Sequence, residues 1–185
     1  MTELNQKEQR NWGKLIGSFL IIFAVLTIDQ VIKIWVKTHM SIGEEIPILG
    51  RWFMLIFTEN DGMAFGWMSG GGIIKLLLSI FRIIAVVILI FILFRLTKKN
   101  VKFSVLVGIA LITAGALGNI IDCVFYGQIF GYAGWLHGKV VDMFSVRFFP
   151  PIFNFADSAI TVGVFYMILF QWKWLKEIEL FNKKS

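Results

Sequence analysis

The stretch that decides the fold is Phe103-Ser-Val-Leu-Val-Gly-Ile-Ala-Leu-Ile-Thr-Ala-Gly-Ala-Leu-Gly-Asn-Ile-Ile121, nineteen residues without a charge. At ~1.5 Å per helical residue it reaches nearly the ~30 Å thickness of a bilayer's hydrocarbon core. Working outward from it, three more segments read the same way: about 15–36, about 73–94 and about 153–172. The first contains Asp29 and Lys33, the second Lys75 and Arg82, and the fourth Asp157 near its start. Composition agrees, since 57% of the 185 residues are hydrophobic and only 16% charged, against ~25% charged in soluble domains. The expectation is a single polytopic domain over 1–185, an all-α membrane protein with four transmembrane helices.

The basic residues give the orientation. Eleven lie before the first helix, in the short loop after the second, or after the fourth, whereas Lys37, Arg51, Lys139 and Arg147 are alone in the two longer loops. The positive-inside rule then places both termini in the cytoplasm and the loops at about 37–72 and 122–152 outside. Trp12, Trp172 and Trp174 would mark the inner interface, Trp35 and Trp67 the outer one. This distribution also accounts for the net charge of +6 without a nucleic-acid-binding patch. Lys7, Arg10 and Lys14 precede the first helix in the manner of a secretory signal, but the apolar run is long and ends in Lys33-Ile-Trp-Val36 with no small-x-small site. It reads as a retained helix.

The outer loops carry structure of their own. Ile46-Pro-Ile-Leu-Gly-Arg-Trp-Phe-Met-Leu-Ile-Phe-Thr58 is extended, β-prone chain followed by the turn signal Glu59-Asn-Asp-Gly62. A small β platform at the outer membrane surface is expected there. The second outer loop is rich in aromatics and glycine, and Pro150-Pro151 is expected to stop it ahead of the fourth helix. In the third helix Ala110, Ala114 and Gly118, with Gly115 alongside, make a seam for close packing.

Charged groups in or beside a bilayer are costly and need a reason. Asp29 and Lys33 stand four apart on one helix and can pair. Arg82 lies at a depth similar to that of Asp29, so it either pairs there or snorkels to the surface. Asn154 and Asp157 fit a helix N-cap and its capping acid, and Asp142 taken alone is a loop carboxylate. Together, however, Asp142 and Asp157 flank one short aromatic segment at the outer face. Two close aspartates share a proton, so that one can activate water while the other polarises a carbonyl.

Other chemistries are poorly supplied. His39 and His137 are the only histidines and no H-E-x-x-H occurs; Cys123 is the lone cysteine, and no G-x-S-x-G elbow is present. Ser145 with Lys139 is at most a loose nucleophile–base pair. No metal and no cofactor are expected. Two other classes compete with a protease. A small transporter or proton channel would use Asp29, Arg82 and Asp157 as its pathway; an assembly protein would rely on the seam of small residues.

Four blocks carry a resemblance over about Asp29 to Gly163. They are Asp29-Gln-Val-Ile-Lys33; Asn60-Asp-Gly62-Met-Ala-Phe65; Gly118-Asn119-Ile-Ile-Asp122; and Val140-Val-Asp142 with Phe153-Asn154-Phe-Ala-Asp157-Ser158. In this order, the chain resembles bacterial lipoprotein signal peptidase (signal peptidase II). The resemblance implies an intramembrane aspartyl endopeptidase of the bacterial inner membrane, monomeric, which cuts prolipoproteins before a diacylglyceryl-modified cysteine. It implies a catalytic pair at Asp142 and Asp157, and supporting or substrate-binding roles for Asn60, Gly62, Asn119, Asp122, Asn154, Asp29 and Lys33. Its partners would be lipid-modified prolipoproteins and membrane lipids, with no nucleic acid. Two departures stand out. The arginine expected after Asp122 is Cys123, with Arg147 as a candidate substitute, and residues about 124–138 look like an insertion over the site.

Overall fold

A computed structural model describes residues 3–60, 72–99 and 101–177. Helix α1 (Glu3–His39) leads into two strands, β1 (Glu45–Leu49) and β2 (Phe53–Asn60), and then α2 (Gly72–Lys98) and α3 (Phe103–Ile121) follow. Past α3 the helix widens into a π-helical turn, Asp122–Tyr126, and a short turn α4 (Gly127–Ile129). Strands β3 (Val140–Val146) and β4 (Phe149–Phe153) precede α5 (Phe155–Phe170), and α6 (Trp172–Glu177) ends the described chain.

Among the described residues three helical stretches have the length and hydropathy to cross a membrane: Asn11–His39, Leu76–Lys98 and Phe103–Ile129. The fourth expected span is shorter than 153–172. Asn154 caps α5 at its start and the helix breaks at Gln171, which leaves 16 residues, or ~24 Å. At the other end of the chain, α1 begins twelve residues before the expected Leu15, because the polar run Glu3–Gly13 continues the helix with nothing to stop it. The α3 bounds are those expected.

The platform is a four-stranded antiparallel sheet in the order β1-β2-β3-β4. Pro150 and Pro151 lie inside β4 instead of merely ending a loop. Consecutive residues turn their amides to opposite sides, so one missing N–H faces the open edge of the sheet and the other falls where the pairing of β4 with β3 shifts register, between Phe149 and Phe153. A register shift between Leu55 and Thr58 separates two paired halves of β2 and β3, and beyond it Thr58 faces Asp142 and Asn60 faces Val140. The alternation of side chains then sends Val141 and Met143 to a core with Val36, Met40, Phe57 and Tyr126, while Asp142 points to the opposite face with Asn60.

The other core joins Ile22 of α1, Leu93 of α2, Met167 of α5 and the α3 residues Val105, Leu106, Ile109, Ala110 and Ala114. Here the small residues of α3 act. A Cβ at Gly115 would strike the Ala156 carbonyl at the head of α5, and one at Gly118 would lie 2.5 Å from Asp29 Oδ2. Helix α3 thus stands between α1 and α5 close enough for their polar groups to meet across it.

Candidate active site

Where the bundle meets the sheet, the polar side chains fall into two connected groups. The inner one centres on Lys33. Its Nζ lies 3.0 Å from Asp29 Oδ2 and 2.8 Å from Asp122 Oδ2, with Lys33 and Asp122 0% exposed and Asp29 1%. Desolvating these charges is tolerable only because every one is paired and hydrogen-bonded. Gln30 Nε2 donates to Asp29 Oδ2 and to Asp122 Oδ1 at 3.1 and 3.0 Å, and Tyr126 donates its hydroxyl to Gln30 Oε1. The Val141 amide donates to Asp122 Oδ2, and the Ala156 amide to Asp29 Oδ1 at 2.9 Å. Asp29 thereby satisfies one of the open N–H groups of α5 from another helix, where the helix dipole favours a negative charge.

The outer group is strung on Asn154, which is fully buried. Its Nδ2 donates to Asp142 Oδ1 at 2.7 Å and to Asn119 Oδ1 at 3.0 Å, while its Oδ1 accepts from the Asp157 amide at 2.8 Å. The Asn154 amide donates back to Asp157 Oδ2, completing a capping box. Asn119 Nδ2 donates to Asp157 Oδ1 at 2.8 Å, and Asn60 Nδ2 to Asp142 Oδ2 at 3.1 Å. Lys33 joins the two groups through a third bond, to Asn119 Oδ1 at 2.9 Å. Asp142 is 3% exposed; burial, with the Asp157 charge beside it, pushes its carboxyl up to about 6. Two carboxyls held near each other, one disposed to keep its proton at mildly acidic pH, can act as paired acid and base.

Of the residues singled out from sequence, Asp29, Lys33, Asn119, Asp122, Asn154, Asp142, Asp157 and Asn60 all fall in these two groups. Gly62, Phe65 and Trp67 lie outside the described residues. Arg82 neither joins Asp29 nor snorkels: its Nη1 is 3.1 Å from Cys123 Sγ. Arg147 does not take up the place left by the cysteine, because it stacks over Trp52 and Phe148 on the sheet. Lys139 is committed to Glu59 and does not serve Ser145. Among the described residues no cluster of three His, Cys, Asp or Glu side chains could hold a metal ion.

Sequence reasoning missed Gln30 and Tyr126. Gln30 had a signal, an uncharged polar residue next to Asp29 inside an apolar helix; Tyr126 had none. It also missed how the 124–138 segment is held. Lys37 sits 4.7 Å from the Tyr132 ring centroid and 4.8 Å from that of Phe130 while paired with Glu59. Ser79 of α2 donates to the Leu136 carbonyl, and the Gly138 amide donates to the Cys123 carbonyl.

Apolar helices are closed at one end by a small sheet, with carboxylates and a lysine sealed between them. The profile of the signal peptidase (SPase) II family matches residues 21–173. The chain is 38% identical to the lipoprotein signal peptidase of Porphyromonas gingivalis, over 85% of this chain and 82% of that one. It is 35% identical to that of Staphylococcus haemolyticus, over 82% and 88%. A solved bacterial membrane enzyme, determined by the in meso method at 2.3 Å, superposes with a TM-score of 0.64 at 31% identity, covering 91% of this chain and 93% of its own. The chain belongs to the signal peptidase II family.

Proposed function

We propose that this protein removes the signal peptide from prolipoproteins as an aspartyl endopeptidase, with Asp142 and Asp157 as its catalytic pair. The observation that carries the aspartyl assignment is Asn154, whose one side chain holds both residues: Nδ2 on the Asp142 carboxyl and Oδ1 on the Asp157 amide. One carboxyl, ionised, takes a proton from water; the other, protonated, polarises the scissile carbonyl; their protons exchange as the amine leaves. Asn60, Asn119 and Asn154 orient the pair, and Asp29, Lys33 and Asp122 hold the helices that present it. A transporter reading finds no support, because Asp29 and Arg82, two of the residues it needs, are committed to separate partners.

The substrate reading follows from depth. Asp157 lies in the first turn of α5, at the sheet end of the bundle, so a scissile bond must be held at that interface. Acyl chains hold it there, at ~0.8 kcal/mol of membrane attachment per buried methylene. We therefore assign cleavage just before a diacylglyceryl cysteine. The exposed Trp52 and the half-buried strand residues Phe53 to Ile56 form the surface beside it. Single-turnover cleavage of one precursor in one bilayer, with and without the diacylglyceryl group, tests this. The lipidated form should be cut far faster; equal rates would mean that the enzyme reads peptide alone.

The same reading makes α5 a fourth span, continued by α6, in a monomer with both termini in the cytoplasm and the sheet outside. A reporter active only outside the cytoplasm should work when fused at Lys139 and fail at Ser185. Activity at Ser185 would overturn the orientation.

A further inference from the structure

At the end of the bundle away from the sheet, α1 and α2 run antiparallel, with Lys14 beside Val101 and the Phe19 and Phe94 rings 5.8 Å apart. Between them lies a groove of 510 Å³, within the ~300–1,000 Å³ range of ligand sites. Its walls include Trp12, Ile16, Phe19, Leu20 and Phe23 of α1 and Phe94 of α2. Trp12 and Phe23 stand eleven positions apart, ~16 Å along a helix, and half of a ~30 Å hydrocarbon core is ~15 Å. The groove is thus about as long as the acyl chains of one leaflet. Among the described residues that line it none is glycine, alanine, serine or threonine, the small residues by which helices approach one another. Bulky rings and branched chains leave an uneven surface, which flexible chains fill better than a second helix does.

The charge beside the groove is of one sign. The run Arg95-Leu-Thr-Lys98-Lys99-Asn-Val-Lys102, which joins α2 to α3, carries four basic residues and no acidic one. Lys98 stands one turn past Phe94 on the same face of α2, and Lys98, Lys99 and Lys102 are all exposed. The run is also tied to the groove, because Lys14 of α1 donates to the Val101 carbonyl at 2.7 Å, across 87 positions of the chain. Orientation in a bilayer asks only that basic residues lie on one side of it. It does not ask for a bond that fixes them beside α1. We propose that this groove binds an anionic phospholipid, its acyl chains laid along α1 from Trp12 to Phe23 and its phosphate received by Lys98 and Lys102. Basic residues between spanning helices hold such headgroups by charge, and the apolar walls hold the chains. The site is at the opposite end of the bundle from the carboxyl pair and stands whether or not the peptidase reading does.

Two measurements on the full chain test this. The first is native mass spectrometry of protein given equal amounts of phosphatidylglycerol and phosphatidylcholine with identical chains. The anionic lipid should be retained on the order of tenfold over the zwitterionic one. Lys98→Gln combined with Lys102→Gln should bring the two to parity, and Leu20→Trp, which fills the groove, should lower the retention of both. Equal retention by the unaltered protein overturns the site, as does a preference that the lysine substitutions leave intact. A dimer that Leu20→Trp dissolves would give the groove to a second copy of the chain instead. The second measurement uses the exposed Trp12 ring as a reporter, in phosphatidylcholine bilayers with a small fraction of lipid carrying brominated chains, which quench indole fluorescence. The part of the emission that Trp12→Phe removes should be quenched more by brominated phosphatidylglycerol than by the same fraction of brominated phosphatidylcholine. Equal quenching would leave the groove an ordinary lipid-facing surface and overturn the site.

Discussion

The two polar groups each hold two aspartates and meet at Asn119, yet their electrostatics differ. In the inner group one lysine stands between two aspartates at 3.0 and 2.8 Å, and a glutamine and two backbone amides complete their hydrogen bonds. In the outer group two aspartates are bridged by neutral asparagines, and the Asp157 charge adds to burial in raising Asp142. A buried carboxylate with a cation beside it is a fastener; one facing another carboxylate must find a proton. The difference between structure and reactivity here is where a single ammonium lies.

The comparison breaks most sharply at the outer pair. Asp142→Asn and Asp157→Asn should each lower single-turnover cleavage by at least about a thousandfold with the fold intact, and the double variant should be little worse, because the pair acts as a unit. Near-normal turnover in Asp142→Asn together with none in Asp122→Asn would exchange the roles of the two groups.

The inner group should fail by unfolding. Lys33→Met strands Asp29 and Asp122 without their cation, a loss of about 3–5 kcal/mol for a broken buried pair. It should appear as a large drop in Tm and in yield of monodisperse protein. Asp122→Asn leaves Lys33 its bond to Asp29 and should cost less, with activity following the folded fraction. Full stability in Lys33→Met would show the cluster to be dispensable as a fastener.

The smallest effect sharpens the contrast through pH. The Asp142 carboxyl in the folded protein is raised to about 6, above its ordinary value, so its protonated form favours folding. That contribution is full below about pH 4 and is lost as pH rises through 6. Asp142→Asn should therefore raise Tm in detergent at pH 7 relative to wild type, by up to about 3 kcal/mol in stability, and change it little at pH 4. Over the same range kcat/KM should fall above a pKa near 6 in the free enzyme. A Tm gain at pH 4 that equals the gain at pH 7 would remove ionisation as its cause.

How much of this was legible in the sequence depended on whether a residue announces itself locally. Helix α3 was legible to the residue, since nineteen uncharged positions admit little else. Asn154 with Asp157 was legible as a cap, because that hydrogen bond is local, and its box is present. What made the cap a possible site was Asp142, twelve residues earlier, and only the sheet register brings it there. Arg82 at Cys123 and Tyr126 at Gln30 depend on how α2 and the π-helical turn sit against their neighbours. No spacing in one chain encodes those contacts. The shortened α5 is the reverse case. Trp172, just past Gln171, extends the apolar count, but the backbone turns at Gln171, and hydropathy registers composition without seeing that turn.

The bond from the Ala156 amide to Asp29 spans 127 positions of the chain, and this bears on how the protein is made. Asp29 and Lys33 can enter the bilayer together because each neutralises the other within one helix. Asp122 and the head of α5 reach them only after the ribosome has added everything between. The first helix thus carries a paired, half-finished socket, which is completed when α5 arrives.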